Sequence, residues 1–77
     1  VYQMSPERVI ELLVAGGIPR ENIRSMPIRK GTAISVYKEG MTVPVIVPAE
    51  IGLEGGEERL AEDVLALWRE GPPNAAH

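Results

Sequence analysis

The sequence predicts an α+β domain of order α-β-β-β-α: a three-stranded antiparallel meander with two helices packed on one face. Two observations carry that prediction. Gly31–Pro48 alternates its apolar residues with period two on either side of Glu39-Gly40, which is the pattern of a β-hairpin. The segments Pro6–Ala15 and Glu57–Glu70 carry apolar residues at helical spacing, and each is followed by its own stop signal.

The first helix, Pro6–Ala15, has a well-marked start. Ser5 can accept from free backbone amides, and Pro6 suits the first helical position because no partner exists there for an N–H. Glu7 complements the positive end of the helix dipole, and Met4 and Val9 occupy the two positions of a hydrophobic staple. Val9, Ile10, Leu12, Leu13 and Val14 give a broad apolar face expected to be buried, and Gly16-Gly17 ends the helix. After a connector at Ile18–Asn22, the first strand is expected over Asn22–Arg29, with Met26 and Ile28 on one face. Pro27 makes that strand short or places it at an edge.

The register of the hairpin follows from its pattern. With Glu39-Gly40 as a two-residue turn, Ile34 and Val36 share a face with Met41, Val43, Val45 and Val47. Ala33, Ser35, Tyr37, Thr42, Pro44 and Ile46 then form the other face. A three-residue loop with Gly40 left-handed suits Glu39 better but turns Ile34 and Val36 away from the valines, so the two-residue turn is expected. Pro44 cannot donate to a ladder, which makes its strand an edge with that position pointing outward. Ala49–Gly56 is a loop, and the second helix follows at Glu57–Glu70 with Leu60, Val64, Leu67 and Trp68 as its stripe. Ala61 adds little width to that stripe and Leu65 broadens it partly. Gly71-Pro72-Pro73 stops the helix, giving one domain over residues 1–71 and a flexible tail at 72–77.

A chain of 77 residues buries a marginal core unless something supplements it. Cysteine is absent and the single histidine, His77, lies on the tail, so disulfides and a structural zinc are excluded as supplements. Oligomerisation, most simply a homodimer, or a protein partner is the remaining route. The net charge of -3 is unevenly spread: Arg20, Arg24, Arg29, Lys30 and Lys38 precede a second half dominated by glutamate. No apolar run reaches the ~20 residues of a membrane span, and the apolar stretch near the start carries Glu7, Arg8 and Glu11, unlike a secretory signal, so a cytoplasmic protein is expected. The chain opens on Val1, which implies that an initiator methionine or a longer segment has been removed.

Little in the sequence carries reaction chemistry. The Gly52–Gly56 loop lacks the lysine and hydroxyl of a phosphate-binding loop, and Glu57 and Glu58 would repel an anion at the helix that follows. Glu57, Glu58, Glu62 and Asp63 read as a solvated helix surface, and Glu50 with Glu54 has neither the ligand count nor the spacing of a calcium site. No serine or threonine has a histidine within reach. The expectation is a non-enzyme with no catalytic, cofactor-binding or metal residues. What stands out is the apolar outer sheet face, which a small monomer seldom leaves open. With the lone tryptophan, it gives an interface set of Tyr37, Thr42, Pro44, Ile46 and Trp68.

Lys30-Gly31-Thr32 opening the second strand, Val47-Pro48 closing the third, and a glycine-ended helix within Ser5–Ile18 together resemble the HicA-type mRNA interferase toxins. The resemblance implies the double-stranded-RNA-binding-domain topology over most of the chain. In that family a Lys-Gly-Ser-His-like segment supplies a catalytic histidine; that position is Ala33 here, so the implied ribonuclease activity is expected to be absent. A catalytically inactive RNA- or DNA-binding domain, contacting phosphates through Arg24, Arg29, Lys30 and Lys38, is the alternative to the protein-interaction module.

Overall fold

Ser5 sits in extended conformation and starts α1 (Pro6–Ala15), its Oγ accepting the Arg8 amide at 3.2 Å with Pro6 at the first helical position. Such a cap contributes about 1 kcal/mol. The helix ends on a Schellman motif: the Gly17 amide donates to Val14 O at 3.0 Å and the Ile18 amide to Leu13 O at 3.2 Å. Gly17 holds the left-handed turn with φ 109°, and Ile18 and Leu13, both buried, supply the apolar contact of the motif.

The computed structural model describes residues 2–49 and 52–70; the expected tail at 72–77, His77 and Glu50 lie outside the described residues. After a single 3₁₀ turn at Arg20–Asn22 come β1 (Ile23–Ile28), β2 (Gly31–Lys38), β3 (Met41–Pro48) and α2 (Gly56–Glu70). The sheet is an antiparallel meander of order β1-β2-β3. Lys38 faces Met41 across Glu39-Gly40, so the turn has two residues. Within that turn only Gly40 takes positive φ, at 76°, and Glu39 is spared it. Among the described residues, no helix is long and apolar enough to cross a membrane.

The expected register places Ile34, Val36, Val43 and Val47 in the core with Val9, Leu13, Ile18, Ile23, Ala61 and Val64. Each fully buried Leu, Ile or Val contributes about 1.5–3 kcal/mol. Both helices lie on this face, but they cover it unevenly. Only Ile23 of β1 is buried, so the helices cover β2, β3 and one end of β1.

Four helix expectations are corrected. Val14 is exposed, because α1 centres its buried side on Val9 and Leu13 and Val14 lies about 100° past Leu13. Leu67 is 47% exposed, and the stripe of α2 runs through Ala61, Val64 and the partly buried Leu60, Leu65 and Trp68. Ala61, expected to add little, is nearly fully buried, as its short side chain suits close approach of α2 to the core. The fourth concerns Glu57, expected in water and found 3% exposed.

The edges of the sheet follow from hydrogen-bond parity. The Ala49 amide donates to Lys30 O at 2.9 Å, extending the β2–β3 register and placing the bonded pairs at even-numbered β2 positions. Pro44 faces Ser35, an odd position, so its nitrogen points to the free edge of β3. Odd positions of β2 bond to β1, and Pro27 faces Thr32, so its nitrogen also points to a free edge.

Candidate interaction surface

Alternation along the three strands puts Arg24, Met26, Ile28, Ala33, Ser35, Tyr37, Thr42, Pro44 and Ile46 on the face away from the helices. The register aligns them in rows. Met26, Ala33 and Ile46 form the central row, with Arg24, Ser35 and Pro44 on one side and Ile28, Gly31 and Pro48 on the other. Tyr37 and Thr42 make the end row. Met26 is 62% exposed and Ile46 52%, so the centre of the face is apolar and wet. The small Ala33 between them makes a trough, and a depression of about 320 Å³ opens beside it between Arg24, Met26 and Tyr37.

Arg24 is the one charged residue on this face by alternation, and its guanidinium lies 5.9 Å from the centroid of the Tyr37 ring. That contact lets Arg24 lie along the sheet as an extension of the apolar surface. The arrangement offers apolar area and a shallow depression. Among the described residues no cluster of histidine, cysteine or carboxylates suits a metal ion.

Four of the five residues expected at an interface, Tyr37, Thr42, Pro44 and Ile46, do share this face. Trp68 does not. It belongs to the helix layer, half-buried against the core, with its indole N–H donating to Tyr37 O at 3.4 Å. Met26, Ile28 and Arg24 enlarge the face beyond the expected set. Continuing the alternation of the hairpin back through the two-residue Arg29-Lys30 turn would have found them.

The cations do not converge. Lys38 Nζ donates to the Trp68 carbonyl at 2.6 Å and lies 4.6 Å from the centroid of the indole ring, closing the end of α2. Arg24 lies on the opposite face, stacked on Tyr37. Arg29 and Lys30 are exposed at the β1–β2 turn, about 25 Å along the sheet from Lys38.

Glu57 is the residue that sequence reasoning misplaced most. Its carboxylate accepts the Ser5 amide at 3.0 Å and the Tyr2 hydroxyl at 2.8 Å, fastening the segment before α1 to the start of α2. The Ser5 amide first, and the Tyr2 hydroxyl second, hold the Glu57 carboxyl below the ordinary carboxylate range, against the opposing push of burial. The hydrogen bond to Glu57 pushes the Tyr2 hydroxyl up, helped by burial and by the charges of Glu57, Glu58 and Glu54. Comparison of the chain with family models, with curated proteins and with solved structures gives no match in any of the three.

Proposed function

We propose that this chain is a small, non-enzymatic interaction module of the cytoplasm that associates with a second copy of itself through the outer sheet face. The observation that carries the reading is the open central row Met26–Ala33–Ile46, flanked by Ile28, Tyr37 and Pro44. Leaving that row in water forgoes burial worth about 25 cal/mol per Å². Two such faces related by a two-fold axis can stack about 10 Å apart, each filling the Ala33 trough of the other. The strand edges support association less well. On β3, Pro44 removes a donor from the middle of the edge. On β1, the Ile23 amide donates to Arg20 O and the Ile23 carbonyl accepts from the Arg20 guanidinium at 2.9 Å.

Sedimentation equilibrium at about 50 µM tests the reading. The parent is expected as a dimer, and Met26→Glu with Ile46→Glu is expected to raise the dimer dissociation constant by at least about tenfold while far-UV circular dichroism is unchanged. A monomeric parent sinks the proposal. The alternative, a catalytically inactive nucleic-acid-binding domain, rests on the exposed Arg29-Lys30 turn alone, since Lys38 is engaged with Trp68. Under that alternative, Arg29→Ala with Lys30→Ala would weaken RNA binding and flatten its salt dependence.

A further inference from the structure

A second surface lies on the helix layer, at the start of α2. The loop Gly52–Gly56 and the first two turns of α2 enclose a groove of about 560 Å³. Its size is within the range of small-ligand and side-chain pockets, about 300–1,000 Å³. Local chemistry explains why the groove is there. Gly52, Gly55 and Gly56 present no side chains to fill it, and Gly55 turns the chain with φ 83°. Met4 packs so tightly on Gly52 and Gly56 that a Cβ at either glycine would run into its side chain. The Tyr2 and Ser5 bonds to Glu57 hold Met4 in that place.

The floor is apolar, made by Met4 and Leu60, and Leu53 stands at the lip with 79% of its surface exposed. No other large apolar residue among those described is so open. The rim is acidic: Glu54 from the loop and Glu58 and Glu62 from successive turns of α2, against the single guanidinium of Arg59. Glu58 and Glu62 are four residues apart, a like-charge spacing that weakens a helix by about 0.2–0.5 kcal/mol. Arg8 answers Glu58 only across 3.8 Å with both side chains half in water. Glu57 is turned inward and takes no part in the rim.

We infer that this groove docks a cationic amphipathic peptide segment, in which an apolar side chain enters beside Leu53 and flanking lysines or arginines meet Glu54, Glu58 and Glu62. The apolar floor alone would accept many side chains; the acidic rim selects among them. The inference does not depend on self-association, because the groove lies on the helix layer and the outer sheet face on the other side.

The test is a ¹⁵N NMR titration of the whole chain with the peptide acetyl-Lys-Lys-Leu-Lys-Lys-Leu-Lys-Lys-amide. Saturable shifts confined to amides of the 52–62 region are expected. A peptide with glutamate in place of lysine, and one with serine in place of leucine, are each expected to bind at least about tenfold more weakly. Glu58→Lys with Glu62→Lys, and separately Leu53→Ser, are expected to weaken the parent peptide by about the same factor; all three positions are exposed, and circular dichroism checks their fold. Shifts centred on the outer sheet face, equal binding of the serine peptide, or no saturable binding overturns the inference. So does a concentration-dependent shift of the same amides without peptide, which would mean that a second copy occupies the groove.

Discussion

Replacing Lys38 with alanine should destabilise the fold, although a surface lysine is usually neutral. Two interactions are lost together. The charged hydrogen bond from Nζ to the Trp68 carbonyl, at 2.6 Å, satisfies one of the last carbonyls of α2, which have no partner inside the helix. For a half-buried lysine at a helix end, that bond is worth about 1 kcal/mol, with the favourable dipole interaction included in it. The stacking on the indole, at 4.6 Å, adds about 0.5–1 kcal/mol. The sum is about 1.5–2 kcal/mol, or about 6–16 °C in melting temperature for a domain of this size. Urea unfolding followed by fluorescence of Trp68, the only tryptophan, measures it directly. Lys38→Met keeps the aliphatic stem and should lose nearly as much, since both interactions need the charge. Arg24→Ala, whose guanidinium is near the outer limit for stacking on Tyr37, should cost under ~0.5 kcal/mol. A loss below ~0.5 kcal/mol in Lys38→Ala would refute the reasoning and return Lys38 to the pool of free cations.

Two other perturbations follow from the same geometry. Because the folded-state pKa of Glu57 is lowered, its stabilisation is complete above the ordinary carboxylate value of about 4.5 and is lost as pH falls through the folded value. Tyr2 is raised, so its contribution is complete below about pH 10.0 and is lost as pH rises through its folded value. Stability plotted against pH should therefore fall at both ends; Glu57→Gln should flatten the acid side, and an unchanged acid limb in that variant counts against the Glu57 contacts. Gly31→Ala should be among the most damaging substitutions in the sheet, because its Cβ would meet the Val47 carbonyl oxygen, with Ala49 N at 3.0 Å. Backbone cannot move aside as a side chain can, so a loss above ~2 kcal/mol in urea unfolding is expected, and a loss below ~0.5 kcal/mol contradicts the close approach.

The order and register of the elements were legible in the sequence because each rests on short-range chemistry. Ser5-Pro6 and Gly16-Gly17 delimit α1 through local hydrogen bonds, and period-two alternation leaves one way to bury Ile34 and Val36 with Val43 and Val47. What failed was which residues lie on the buried arc of a helix. Ala61 and Leu67 differ in hydrophobicity in the wrong direction for their burial, because the closeness of α2 to the core decides, and that distance is a tertiary property. Glu57 was unreadable for a similar reason: its partners Tyr2 and Ser5 are more than 50 residues away, and a glutamate in a first helical turn has an adequate local explanation. On the candidate face, the hairpin residues were found, while Met26 and Ile28 had no assigned side until the Arg29-Lys30 turn fixed the register of β1.

The outward-pointing nitrogens of Pro27 and Pro44 limit how this sheet can be extended by further strands. A sheet grows without limit when each added strand offers the next one the same unpaired edge, the geometry of fibrils. Here a proline interrupts the donor row on both sides, so a fourth strand from any neighbour finds gaps in the ladder. Growth is left to the faces, and the helices already occupy one of them. A copy docked on the remaining face consumes it and offers no fresh one, so stoichiometry stops at a small number. The apolar row of Met26 and Ile46 thus lies on a sheet whose two edges are both poorly suited to filament growth.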